Sequence, residues 1–548
     1  MTAGPTRRGF ARLLWRLADL IQVAETRRSF RAKAYRRAVW ALDDLDDLEV
    51  EDEAILSTPG IGPGVTALIR EYREGGALNQ LIPLEEAYPR EARRLRRLPR
   101  MTPRILRDLK SGLGVETTAE LLCSIESDTV ATIPGVGPRT TDLWRQILAL
   151  PPHEVSAPAH QAWVLAVDLA THVGRHTESE VEIAGGVRRV EEWVDQLDLV
   201  VVTDQRETAV DFLERSAVLD VVRARSDDVV EATTHANLPV VFHLAGSADA
   251  GRVLVAATGP EEHLAGLGDL SSRPTEADVY RDSGVPWTPP PARHLPLDLA
   301  TGVVRTKDIR GDLHLHTDAS PDGRMTIETI LGEAVDRGYE YVLITDHTLG
   351  LRFGGLGAAE IADQARAIEL LRDRFPELTL WHGAELNIGP DGSLDLDDAT
   401  LDQLDFAVAG VHSHFGLTGA EQTARVSAAL SHPVVRVLAH PFGRRIGIRP
   451  GLDIDMDAVI ATAIRHDVAL ETNGHRDRLD LPADWVAAAA GAGALFAANS
   501  DAHRLAEMGN VANAVATLQR AGVTAEQVIN ARQAATMSHW ISGRSSSA

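Results

Sequence analysis

The chain has 548 residues, too long for one ordinary domain, and its 44% hydrophobic and 24% charged content is that of a folded globular protein. A single cysteine, Cys123, excludes an internal disulfide framework and a thiolate metal cluster, and no apolar run is long enough to span a bilayer. The formal net charge of −24 argues against nucleic-acid binding until its distribution is read: residues 1–150 hold about 23 basic and about 21 acidic side chains, so the acidity lies in the remainder, where it suits cation sites.

The N-terminus, "MTAGPTRRGFARLLWRLADL", is basic but amphipathic and lacks the apolar core and cleavage site of a secretory signal, so a cytoplasmic protein without membrane association is expected. Residues 1–150 read as helices without strand-like alternation. Two Gly-Pro hairpins interrupt them, "TPGIGPGVTALIREY" (58–72) and "IPGVGPRTTDLWRQI" (133–147), and a weaker copy without glycines, "LPRMTPRILRDLK" (98–110), lies between and is expected to be structural. P-G-x-G-P is the mark of a helix-hairpin-helix. Gly60, Gly62, Gly135 and Gly137 let backbone amides approach a phosphate, and the following helix start favours the anion; Arg139 and the basic stretch Arg93–Arg107 would add sequence-independent attraction to DNA.

From about 155 to 265 the pattern is mixed α/β, with β-rich runs "LDLVVVT" and "GRVLVAAT". A Pro-rich stretch, "GVPWTPPPARHLPLD" (284–298), is expected to be extended. From about 308 strand and helix patterns alternate. The seven strand candidates are "GDLHLH", "YEYVLITDH", "LTLWHGAE", "LDFAVAGVH", "VRVLAH", "DVALETN" and "ALFAANSDAH". Alternation predicts a parallel sheet, and seven units suggest barrel-like closure with the chemistry at the C-terminal strand ends.

Those ends carry His, Asp, Glu or Asn. His314 and His316, two apart on one strand, face the same way. Asp322 follows, and later strand ends supply His347, Glu385, His412, His440, Asp501 and His503, nine candidate ligands in all. Imidazole with carboxylate and no thiolate suits Zn²⁺, Mn²⁺ or Fe²⁺. A polynuclear site of this kind activates water near neutral pH and clamps the attacking and leaving oxygens of an in-line displacement at phosphorus. Glu385 reads as the bridging carboxylate, and Asp346 as a partner orienting the imidazole of His347. Arg444, and after it Arg478, read as phosphate contacts, and Asn473 as a hydrogen-bond partner of substrate or ligand.

"DLHLHTDAS…DG", "TDH", "GAE", "VHS", "AHPFGR" and "SDAH" together resemble the PHP (polymerase and histidinol phosphatase) domain, and all nine of that domain's usual ligand positions are matched. "DGSLDLDDATLDQLDFAVAGVHSHF", "RDRLDL", "TEADVYRDSGVPWTPPPAR" and "FRAKAYRRA" extend the resemblance to bacterial family X DNA polymerases, over almost the whole chain. The resemblance implies an all-α helix-hairpin-helix region over 1–150, an α/β nucleotidyltransferase-like palm and thumb over 151–283, a Pro-rich linker over 284–307 and a distorted (β/α)7 PHP barrel over 308–541 with two or three Mn²⁺ or Zn²⁺ ions, Mg²⁺ being an alternative. Residues 542–548 are expected to be disordered. It also implies that gapped, nicked or 3′-ended duplex DNA is the partner and that the PHP domain is a 3′–5′ exonuclease in DNA repair. No protein partner is legible.

The same resemblance exposes a degenerate palm. Against the Gly-Ser, two-Arg, Asp-x-Asp pattern of the family stands "AGGVRRVEEWVDQLDLVV": Arg188, Arg189 and Asp198 remain, Gln196 occupies the first Asp position and Gly186 that of the Ser. The third acid falls in "PVVFHLA", which has none, and Ala256-Ala257 replaces the Tyr-Phe platform before Thr258-Gly259. Two-metal catalysis needs bridging carboxylates, so a folded, polymerase-inactive palm is expected. Lyase chemistry is not expected either, because Leu68 stands at the Schiff-base lysine position. The alternatives to a DNA-processing exonuclease are an active polymerase with exonuclease, a phosphatase for a small phosphoester, and a noncatalytic DNA-binding scaffold.

Overall fold

The computed structural model describes residues 6–543 apart from 26–28, 46, 99, 150–155, 227 and 352–353. The described residues before 150 are helical throughout. Helices Arg7–Ala24, Phe30–Ala41, Asp52–Ser57, Pro63–Gly75 and Leu81–Ala87 surround the first hairpin and bury Phe10, Leu14, Leu17, Leu68 and Ile69. Helices Arg90–Arg97, Pro103–Leu113, Thr118–Glu126 and Pro138–Ala149 surround the second and close a separate core on Leu109, Leu121 and Trp144. Each hairpin is thus held by its own apolar cluster.

The strands that follow are β1 (Ala157–Pro158), β2 (Glu180–Ile183), β3 (Trp193–Val194), β4 (Leu197–Val202), β5 (Leu219–Arg225), β6 (Val229–Thr234) and β7 (Pro239–Ala245). A five-stranded sheet runs in the order β2-β4-β7-β6-β5, parallel only between β4 and β7. The run "GRVLVAAT", read as β-rich, is instead a helix, Ala250–Thr258. Its buried Gly251, Val255 and Thr258 fall at helical spacing against β4, and a short Val-rich run carries too little period to distinguish the two.

The Pro-rich stretch is folded rather than extended. Pro290–Ala292 makes a 3₁₀ turn with Pro in its first turn, and Leu297–Thr301 is a short helix. Thr288, Ala292 and Arg293 are buried, and the turn packs on helix Val511–Arg520. Contact with the following domain, which composition does not encode, fixes this segment.

Eight short strands complete the chain: β8 (Gly311–Leu315), β9 (Tyr341–Ile344), β10 (Thr379–His382), β11 (Glu385–Asn387), β12 (Ala407–Gly410), β13 (Val435–Leu438), β14 (Ala469–Asn473) and β15 (Phe496–Asn499). All pairings are parallel, in one ladder β10-β9-β8 and another β11-β12-β13-β14-β15. Bridges Leu315–Ala502 and His347–Glu385 join the two ladders at both ends. The third strand candidate is split at Gly383–Ala384, so its halves serve different ladders. Strands buried on both faces, covered by helices such as Ile327–Asp336 and Ala358–Arg372, explain the near-continuous apolar runs. The tail expected to be disordered is a helix as far as Gly543, and the rest of it lies outside the described residues. Among the described residues, no helix is long and apolar enough to cross a membrane.

Candidate metal centre and its flanking sites

The parallel strands bring the predicted ligands together at their C-terminal ends. His314 lies on β8 and His316 just beyond it. His347, His412 and His440 follow β9, β12 and β13, Glu385 opens β11, and Asp501 and His503 follow β15. Glu385 is at the centre. His347 Nδ1 lies 2.7 Å and His314 Nε2 3.4 Å from its Oε2, while His440 Nε2 and His412 Nε2 lie 2.9 and 3.0 Å from its Oε1. Asp501 Oδ1 is 3.3 Å from His316 Nε2 and 3.6 Å from His314 Nε2. Asp322, 61% exposed at the rim, approaches His503 at 3.4 Å and His347 at 3.7 Å.

Three groups have ligand atoms close enough to share an ion: His316–His347–His503, His314–His316–Asp501 and His347–Glu385–His412. They interlock through His316 and His347. Donors about 2.0–2.1 Å from a tetrahedral cation stand about 3.3 Å apart, and the contacts here spread around that spacing, from 2.7 to 3.7 Å. Burial also fits a cation. His314 Nε2, His316 Nε2, His347 Nδ1, Glu385 Oε2 and both His412 nitrogens are buried and make no hydrogen bond among the described residues, and buried polar atoms require a partner. Burial works to raise the Glu385 carboxyl, yet the imidazoles of His412, His314 and His347 outweigh it and hold it well below the usual carboxylate range. The same contest, with His314, His316, His503 and Arg478, depresses Asp501. The pocket is therefore built for anions facing cationic or electron-accepting neighbours.

A second ring of contacts fixes the imidazoles. Glu471 of β14, fully buried, was not foreseen. Its Oε1 lies 2.7 Å from His314 Nδ1 and accepts from Asn499 Nδ2 at 2.9 Å, while its Oε2 accepts from the His440 backbone N–H at 2.7 Å and Asn473 Nδ2 at 3.1 Å. His314 is thereby turned with Nε2 toward Glu385 and Asp501. The missed signal was the period of two: Glu471 and Asn473 share a strand face. Asn473 Nδ2 also donates to Asp501 at 2.9 Å, as a ligand-holding role requires. Asp346 does not touch an imidazole as expected. It accepts from Thr317 N, Thr317 Oγ1, Ser320 Oγ and Gln364 Nε2, and Ser320 Oγ in turn accepts from His347 N at 3.0 Å. Its effect on the ligands passes through the 317–320 turn.

The two arginines divide differently from expectation. Arg444 is not free for a substrate phosphate: both its Nη atoms donate to Glu192 at 2.7 Å, and its Nε donates to the Arg478 carbonyl at 2.9 Å. Its neutralising acid is 252 residues away in sequence, beyond any local reading. Arg478 instead faces the cluster, with Nε 3.5 Å from Asp501 Oδ2 and its side chain 21% exposed.

The hairpins share one backbone. Gly60 and Gly135 have φ of +97° and +91°, a region costly for side-chain-bearing residues. Ile61 N bonds Thr58 O and Val136 N bonds Ile133 O, while Gly62 O accepts from the Val65 and Thr66 amides and Gly137 O from those of Thr140 and Thr141. Nothing lies within 4 Å of a Cβ placed on Gly62 or Gly137, so both faces are open. The middle copy keeps the turn, with Arg100 at φ +62° and Met101 N bonded to Leu98 O; Pro99 and the side chain of Arg139 lie outside the described residues.

In the five-stranded mixed sheet, Asp198 Oδ1 accepts from Gln196 Nε2 at 2.9 Å and lies 3.1 Å from His243 Nε2. Arg188 makes two bonds to Glu276, at 2.9 and 3.0 Å, and Arg189 is held by Glu191 and the Thr258 carbonyl.

A PHP domain family model matches residues 312–434. The DNA polymerase/3′-5′ exonuclease PolX of Bacillus subtilis is 28% identical over 534 residues, covering 92% of this chain and 94% of that protein. A probable phosphatase of Syntrophotalea carbinolica is 30% identical over 231 residues, 40% of this chain and 90% of its own length, and the probable phosphatase YcdX of Escherichia coli K12 is 27% identical over 233 residues, 40% and 89%. The phosphatases thus match only a part equal to their own size, whereas the polymerase relative is matched from end to end. The chain carries a PHP domain and resembles, along nearly its whole length, a family X DNA polymerase that ends in one.

Proposed function

We propose that this protein is a metal-dependent 3′–5′ exonuclease that trims DNA ends in repair, acting in the cytoplasm on gapped, nicked or 3′-ended duplex, with a palm that does not polymerise. The chain is a hydrolase. The observation that carries the reading is the convergence of seven residues into three interlocked groups at the ends of parallel strands, with His440 against Glu385 and Asp322 against His347 and His503 beside them. On this reading the two ladders form the distorted (β/α)7 PHP barrel, residues 157–283 the palm and thumb, and the two helical clusters the helix-hairpin-helix region.

His314, His316, Asp322, His347, Glu385, His412, His440, Asp501 and His503 would hold two or three divalent ions, Mn²⁺ or Zn²⁺ by donor type. Such ions supply activation of water and neutralisation of charge at phosphorus. Glu385, with imidazoles against both oxygens, would offer both oxygens to the ions. Glu471 and Asn473 fix ligand orientation. Arg478, beside Asp501 and partly open, contacts the scissile phosphate as a charged donor. The hairpins hold the duplex through backbone amides at Gly60–Gly62 and Gly135–Gly137, independently of sequence.

An inactive palm is supported by the occupancy of its groups. Asp198 has Gln196 and His243 as neighbours where carboxylates would be needed, and the acids Glu276 and Glu191 hold Arg188 and Arg189. The testing experiment is digestion of 3′- and 5′-labelled gapped duplex with Mn²⁺, using wild type and His314→Ala, with dNTPs in a parallel reaction. Shortening from the 3′ end that vanishes in the variant, without extension, is expected. Primer extension refutes the inactive palm. Turnover of small phosphate monoesters with none of DNA moves the protein to the phosphatase class.

A further inference from the structure

The loop that carries Arg478 does not stand on the parallel-strand domain alone. Residues 474–480 lie against the mixed-sheet domain at three places. The Arg476 guanidinium sits 3.9 Å over the Trp163 ring, the His475 and His160 rings stack at 6.4 Å, and Leu479 joins a small apolar cluster with Ala159, Val190 and Ile446. At the centre of this seam is Arg444. One edge of its guanidinium is taken by both oxygens of Glu192 at 2.7 Å. The rest is turned back on the loop: Nε donates to the carbonyl of Arg478 at 2.9 Å, and Nη2 donates to that of Leu479. Asp480 closes the ring by accepting from the Phe442 and Arg444 amides at 2.9 and 3.2 Å.

We propose that Glu192, on the degenerate palm, is a positioning residue for phosphodiester hydrolysis: through Arg444 it fixes the backbone at residues 478 and 479, and so aims the Arg478 guanidinium at the ion site and the substrate phosphate. A palm without chemistry of its own thereby supplies part of the geometry of the neighbouring reaction. A bidentate acid holds the Arg444 guanidinium in one plane, and that plane decides which carbonyls its other N–H groups reach. Without Glu192, Arg444 is free to turn toward solvent or the scissile phosphate, and the 478–479 carbonyls lose their donors. Arg478 has no comparable restraint of its own, since its nearest acid, Asp501, is 3.5 Å away. Displacements of about 1 Å in such a group cost on the order of 100-fold in rate.

The inference rests on the phosphoesterase reading above, and the experiment separates the two. Full-length wild type, Glu192→Ala, Glu192→Gln, Arg478→Ala and the Glu192→Ala/Arg478→Ala double variant are loaded with Mn²⁺. Hydrolysis is then followed on bis(p-nitrophenyl) phosphate and on 3′-labelled gapped duplex, with bound metal and melting temperature measured alongside. Glu192→Ala is expected to lower kcat/KM about 10- to 100-fold, the range for outer supporting contacts, with unchanged metal content, and Glu192→Gln, which keeps one acceptor, less. In the Arg478→Ala background, Glu192→Ala should have no further effect. Wild-type rates in Glu192→Ala, effects that multiply in the double variant, or loss of bound metal would each overturn the positioning role. A wild type loaded with metal but inert on both substrates would instead remove the phosphoesterase reading, and this inference with it.

Discussion

The most exacting prediction concerns Glu276. This carboxylate accepts two bonds from Arg188 and one from the Trp287 indole at 3.0 Å, and is also bonded by the fully buried Arg293, so it ties the sheet domain to the segment leading into the metal domain. Burial works to raise its carboxyl, but Arg293 and Arg188 outweigh it and lower it from an ordinary 4.5 to about 2. A shift of that size corresponds to about 3 kcal/mol, and removing one partner of a buried charge cluster costs a similar 3–5 kcal/mol. The folded value is the lower one. The stabilisation is therefore fully present above about pH 4.5 and is lost as pH falls toward 2; at pH 3 about 1 kcal/mol should remain. Native-state hydrogen exchange of amides in 276–293 should show Glu276→Gln opening more easily than wild type by about 3 kcal/mol at pH 7, and by about 1 kcal/mol at pH 3. A gap under about 1 kcal/mol at pH 7, or one equal at both pH values, would refute the argument that the two arginines stabilise the ionised form.

Glu471→Gln should weaken divalent-ion binding and Mn²⁺-dependent hydrolysis about 10- to 100-fold, because an amide cannot accept all four of the contacts that orient His314 and His440; titration of metal into apo-protein checks it. Gly62→Asp and Gly137→Asp should each weaken binding to gapped duplex by about 10-fold or more at low salt while leaving the melting temperature unchanged, since each adds an anion in open space beside a turn proposed to hold phosphate; fluorescence anisotropy against salt concentration reads this directly.

The His and carboxylate cluster was legible because nature of residue and position coincide there: candidate ligands at strand ends are read from alternation, and parallel pairing then brings them together whatever the details of closure. Glu471 was overlooked because it lies inside a strand read for its apolar content. The roles of Arg444 and Arg478 could not be separated in sequence, since the acid that occupies Arg444 comes from another domain. The same holds for the linker, whose prolines suggest extension while burial of Arg293 and Thr288 folds it. In the hairpins, glycine marked the turns at 60 and 135, yet the turn at 100 forms with arginine, so the motif understates how often the geometry occurs.

The surroundings of Asp198 bear on the history of the lineage. Its Oδ1 is engaged by Gln196 and faced by His243, while Arg188, the neighbouring cation, belongs to Glu276. Restoring an acid at Gln196 alone would place two carboxylates side by side with a single imidazole to answer both. Losing Glu276 alone would leave two guanidiniums unmatched, one of them buried. Each of these single substitutions is thus less stable than its starting point, and on the reading proposed above a palm competent for nucleotide transfer would require several at once. On that reading the arrangement resists drift: selection for a stable fold is by itself enough to hold these contacts in place.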